Sequence, residues 1–194
     1  SINQSGDVNS AWVEQSAGAG NQAYIDQPGS DNIAEIQQSV SFDGYAEIAQ
    51  TGDINDAYVA QEGDFNAAVL AQSGDFNLAE TEQLGADNIA EIDQSGDDNI
   101  ADIDQWGELN DAIIAQSGSF NEAVIFQDGS DNIAEIDQSG DYNYAEIVQE
   151  GFGNDALISQ SGVGTAGAGN QAYITQVGDS HLATISQAGG GGNY

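Results

Sequence analysis

Residues 99–120 read NIADIDQWGEL and then NDAIIAQSGSF, two passes through one plan of eleven residues. The plan is Asn-x-Ala-x-Ile-x-Gln-x-Gly-x-x. Asn99, Ala101, Ile103, Gln105 and Gly107 fill it first, then Asn110, Ala112, Ile114, Gln116 and Gly118. Asn121, Ala123, Ile125 and Gln127 follow, then Asn132 and Gln138. Sixteen complete copies start at 9, 21, 32, 44, 55, 66, 77, 88, 99, 110, 121, 132, 143, 154, 170 and 181. The third position is Ala and the seventh Gln in all sixteen, and the fifth is Ile in twelve. A short fixed period means that no unit can bury its own face and each must stack on its neighbours.

Each copy reads as one strand and one turn. Side chains alternate along a strand, so positions one, three, five and seven share a face. β-branched Ile suits a strand. The Gly and Asp of positions eight to eleven, as in Ser95-Gly96-Asp97-Asp98, are turn chemistry. Helix is excluded, because eleven residues hold only about three helical turns and every unit carries a turn signal. The expected fold is an all-β solenoid: two parallel in-register sheets, one strand and turn per half-repeat, about 22 residues per rung, strands ~4.8 Å apart as in cross-β amyloid. Ala101, Ile103, Ala112, Ile114, Ala123 and Ile125 belong to its apolar core. Asn99, Gln105, Asn110, Gln116, Asn121, Gln127, Asn132 and Gln138 belong to amide ladders that satisfy one another inside it.

The outward positions carry a second code. Where position two is Ile, Leu or Tyr, position four is acidic or Thr; where position two is small or polar, position four is apolar. Stacked rung on rung, one column of fourth positions reads Tyr24, Glu47, Val69, Glu91, Ile113, Glu135, Leu157, Thr184. Its carboxylates are ~9.6 Å apart, twice the strand spacing, which approaches the screening length of about 8–10 Å. The other column places Glu80 directly against Asp102, with Glu82 and Asp104 beside them. Four carboxylates in one patch invite Ca²⁺ or raised pKa values. The plainer reading is a solvated acidic surface.

Composition sets the outer limits. The chain has no Lys or Arg, 33 Asp plus Glu, and a net charge of −33. Such a surface repels nucleic acid and anionic membranes. There are no Cys residues, hence no disulfide framework and no Cys metal site. No apolar run has membrane-spanning length. No signal segment precedes Ser1, which is the expectation for a mature or cytosolic chain. His181, the one His, takes a position normally held by Asn, so it reads as a structural replacement and not a catalytic base. Gly190–Gly192 has no Lys and no helix after it and is no phosphate loop. No cofactor and no catalytic residue is expected.

The spacing resembles the curlin family, subunits of bacterial curli amyloid fibres, whose repeat is Ser-x5-Gln-x-Gly-x-x-Asn-x-Ala-x3-Gln. Gln105, Gly107, Asn110, Ala112 and Gln116 match it in place, and Asn99 stands where the family has Ser. The resemblance implies a secreted, self-assembling, non-enzymatic subunit of extracellular biofilm matrix and cell adhesion at the bacterial surface. It also implies secretion and nucleation machinery of the curli type. The competing class is a monomeric acidic β-solenoid binding module, an adhesin or ice-binding protein. That class needs polar caps, or a flat outward Thr array; neither is evident.

The chain divides into a partial half-repeat at 1–8, the solenoid at 9–187 and a Gly-rich tail at 188–194. Ile2 takes position five of the partial copy and Gln4 position seven; Asn193 and Tyr194 fit positions one and two of an unfinished one. Head-to-tail stacking would bring Ile2, Gln4 and Asn9 of one copy to His181, Gln187, Asn193 and Tyr194 of another. A strand shared there makes the strand number per subunit odd and turns successive subunits by about half a revolution. Two frayed tails are the plain alternative.

Overall fold

The computed structural model describes residues 1–164 and 169–189. Among them are seventeen strands and no helix, in two sheets whose neighbours all pair in parallel. One sheet stacks β1 Ile2–Gln4, β3 Gln22–Gln27, β5 Tyr45–Thr51, β7 Ala67–Ser73, β9 Ile89–Ser95, β11 Asp111–Ser117, β13 Ile133–Asp141, β15 Asp155–Val163 and β17 Leu182–Ala188. The other stacks β2 Ser10–Ser16, β4 Ile33–Ser39, β6 Asp56–Glu62, β8 Leu78–Ala86, β10 Ile100–Glu108, β12 Glu122–Ser130, β14 Tyr144–Phe152 and β16 Gln171–Asp179. Successive strands alternate between sheets, so two half-repeats make one turn of a β-solenoid.

Like residues stack on like. Ile103 pairs with Thr81 on one side and Ile125 on the other; Gln105 pairs with Gln83 and Gln127. Ala, Ile, Asn and Gln point inward, and the core between the sheets runs from Ala23 to Ile174. Ala11, Val13, Ala183 and Ile185, in the outermost complete strands, are only partly buried against it.

The turns stack as strictly as the strands. Gly107 has φ +118, and a Cβ there would lie 1.9 Å from the Gly129 carbonyl oxygen of the next rung. At Gly107 the stacked turn therefore admits no side chain. Two residues further on, the backbone is left-handed even where the residue is bulky: Ile54 at φ 61, Leu109 at 58 and Phe120 at 59. This conformation is rare for a β-branched residue. Sequence reasoning anticipated Gly and Asp in these turns. The difference arises because the turn backbone is hydrogen-bonded between rungs, as in Phe120 N–H to the Asp97 carbonyl at 3.1 Å. That ladder holds the dihedral whatever the side chain.

Candidate functional site

The Gln side chains form two directional chains of amides. In the nine-stranded sheet each Nε2 donates to the next Oε1 from Gln4 through Gln27, Gln50, Gln72, Gln94, Gln116, Gln138 and Gln160 to Gln187. In the other sheet the chain runs from Gln15 through Gln38, Gln61, Gln83, Gln105, Gln127 and Gln149 to Gln176. From Gln27 onward the second N–H of the amide crosses to the facing sheet: Gln105 donates to the Ile89 carbonyl at 2.7 Å and Gln116 to that of Ile100 at 2.9 Å. One amide thus ties rung to rung and sheet to sheet.

The Asn ladder points the other way. Asn99 Nδ2 donates to Asn77 Oδ1 at 3.1 Å and to the turn carbonyl of Gly118 at 2.9 Å. Asn110, Asn121 and Asn132 repeat the arrangement on Asn88, Asn99 and Asn110. The same Oδ1 accepts the backbone N–H of the next rung, as in Asn121 N–H to Asn99. All eight core amides named from the sequence are buried, as are Ala101, Ile103, Ala112, Ile114, Ala123 and Ile125. Thr81 departs from the pattern. It is buried at an Ile position, and its hydroxyl has no hydrogen-bond partner.

At the edges, Ile2 and Gln4 pair with Ile25 and Gln27, and Asn9 Oδ1 accepts the Asn32 backbone N–H at 3.0 Å. His181 replaces Asn at the far end: its backbone N–H donates to Asn154 Oδ1 at 3.1 Å, and its ring Nε2 lies 3.2 Å from the Val177 carbonyl oxygen. Gln187 Nε2 donates to the Gln171 carbonyl at 2.8 Å. Asn193 and Tyr194 lie outside the described residues.

On the outward surface the register sets Glu47 against Val69, Val69 against Glu91, and Glu91 against Ile113. It sets Glu80 against Asp102 and Glu82 against Asp104. Burial first, then Asp104, Glu80 and Glu82, push the Asp102 carboxyl up to about 6. Burial, then Glu82 and Glu80, raise Asp104 as well. The four carboxylates lie side by side in two rows; among the described residues no group of three or more His, Cys, Asp or Glu is arranged to hold a metal ion. No helix among these residues is long and apolar enough to cross a membrane.

These features are those of a stacking surface: directional amides, an in-register backbone and outward charge. The family model described as a curlin-associated repeat matches residues 43–74, 74–107, 107–140, 131–162 and 166–189. No curated protein matches the chain. With five matched segments covering most of its length, on the residues that make the ladders, the chain belongs to the curlin-associated repeat family.

Proposed function

We propose that this chain is a structural subunit that self-assembles head to tail into extracellular amyloid fibres at a bacterial surface, serving biofilm matrix and cell adhesion. The observation that carries this reading is the polarity of the Gln ladder. Every Gln donates in the same direction, so Gln176 and Gln187 end the two chains with Nε2 donors while Gln4 and Gln15 begin them with Oε1 acceptors. A second copy placed end on continues both without reversing a single amide. Parallel edge strands supply the backbone half of the same contact. Ile2, Gln4 and Asn9 on one copy and His181, Gln187, Asn193 and Tyr194 on the other are the junction residues of this reading.

The family is one of structural proteins, which agrees with a non-enzymatic role and a homopolymer. Export and nucleation machinery of the curli type would act before assembly. A chain with no Lys or Arg and a charge of −33 has no means of holding nucleic acid phosphates. The test is fibre growth from purified chain, read by seeding kinetics and fibre diffraction. Fibres with a meridional reflection at ~4.7–4.8 Å support the reading. A chain that stays monomeric, seeded or not, overturns it in favour of a solitary binding module.

A further inference from the structure

The outward face of the eight-stranded sheet holds a recess of about 210 Å³ floored by Ala60. It arises from side-chain length along one column. At position six, β4, β6 and β8 carry Gln37, Ala60 and Glu82 in register. A methyl between two long side chains leaves a gap one rung deep. Tyr58 and Glu62 line it along β6, and Leu84 borders it on β8.

The charge of this lining is one-sided: the charged side chains that border it, Glu62 and Glu82, are both carboxylates. Gln37 donates from Nε2 to Glu35 at 2.5 Å and keeps its Oε1 as an acceptor; Ser39 adds a hydroxyl. Tyr58 adds an aromatic ring to the lining. Burial, followed by Glu35, Glu82 and Glu80, raises the Tyr58 phenol, so it stays neutral in this field. A ligand fitting such a lining is flat, cationic and rich in donors. Guanidinium meets these conditions: it stacks on aromatic rings and bridges carboxylates, with five N–H donors. An ammonium is a compact, strongly hydrated charge and uses the ring face less.

We propose that the Ala60 recess is a receptor for the guanidinium of an arginine side chain on a partner polypeptide. The chain has no Lys or Arg, so another copy cannot supply the cation and the partner is a different protein. The recess lies within one copy, so its occupation does not depend on fibre formation. The opposite sheet supplies an internal control. There Ala115 sits between Asp93 and Asp137 and floors a recess bordered by Ser95 and Ser117, with carboxylates but no aromatic ring.

The test is binding of a labelled tri-arginine peptide, with tri-lysine beside it, to the full chain by fluorescence anisotropy. Ala60→Gln fills the recess without changing charge, and position six already accommodates Gln37. Ala60→Val is a second filler, matching Val148 at the equivalent position. Both fillers, and Tyr58→Leu, should weaken tri-arginine binding about tenfold, the scale of a partly desolvated cation–π contact joined to a carboxylate. Ala115→Gln should change it less than about twofold, and tri-lysine should not distinguish wild type from the fillers. Circular dichroism reports that each variant keeps its sheets. Folded fillers that bind tri-arginine like wild type overturn the proposal, as does tri-lysine binding that falls in parallel; either result reduces the effect to diffuse attraction by the acidic surface.

Discussion

Asp102 is the residue at which the outward code fails, and its chemistry follows from that failure. Its neighbour on β8 is Glu80 where an apolar residue would preserve the alternation, and burial adds to the repulsion. A carboxyl pushed up from 3.8 to about 6 holds its proton more tightly when folded than when unfolded. Stability from this group therefore falls as pH rises from about 4 through 6, and the penalty is fully present above that window. Asp102→Asn should raise stability at pH 7–8 and flatten the dependence between about pH 4 and 6, read by denaturant unfolding across pH. A variant with the wild-type slope would show that Asp104 carries the effect. Gln105 makes the opposite case, a polar group that belongs inside. Gln105→Ala removes an acceptor from Gln83 and a donor from Gln127, stranding buried amides at a cost of about 1–3 kcal/mol. Fibre growth should slow; unchanged elongation in several such variants would place the Gln residues outside the stabilising core.

At the scale of the element, one strand is under-built. β8 carries Thr81 where its neighbours in the stack carry Val59 and Ile103, and its hydroxyl is buried without a partner. The same strand carries Glu80 and Glu82 on its outer face, so its pairing with β10 is weakened on both faces. Thr81→Ile restores the apolar column and removes the orphaned hydroxyl, and should stabilise the solenoid by about 1–3 kcal/mol. A denaturation midpoint unchanged or lowered by that substitution would mean that the Thr81 shape, and not its hydroxyl, suits the core. The turns show the reverse logic. Gly107 has no room for a side chain, whereas Phe120 and Ile54 tolerate left-handed backbone because the turn ladder fixes it.

At the scale of the whole molecule, charge is the expected control on the proposed association. Copies at −33 repel one another, and protonation or divalent cations relieve the repulsion. Elongation should quicken as pH falls toward 4–5 or as Ca²⁺ is added; rates indifferent to pH, salt and Ca²⁺ would remove charge as the controlling variable. Neutralising Glu80 and Asp102 to Gln and Asn should blunt the Ca²⁺ response more than the same change at Glu91 and Glu135. Equal responses would assign Ca²⁺ to general screening.

Much of this architecture is carried by local sequence. The eleven-residue period names the pairing partner of every strand, because equal copies can all pair only in register. The two-residue alternation decides which side chains are inside, because a strand has only two faces. From those two facts come the parallel sheets, the inward Asn99 and Gln105, and the meeting of Glu80 with Asp102. Tertiary structure decided the rest. The second N–H of Gln105 finds the Ile89 carbonyl only because the facing sheet lies within reach, a distance no repeat encodes. Asp102 is raised by burial before neighbouring charge, and burial depends on the side chains of adjoining strands. The gap over Ala60 exists only between Gln37 and Glu82, residues far apart in the chain and one rung apart in space. Periodicity fixes which atoms are neighbours; the volume and dielectric between them appear only when all the rungs are stacked.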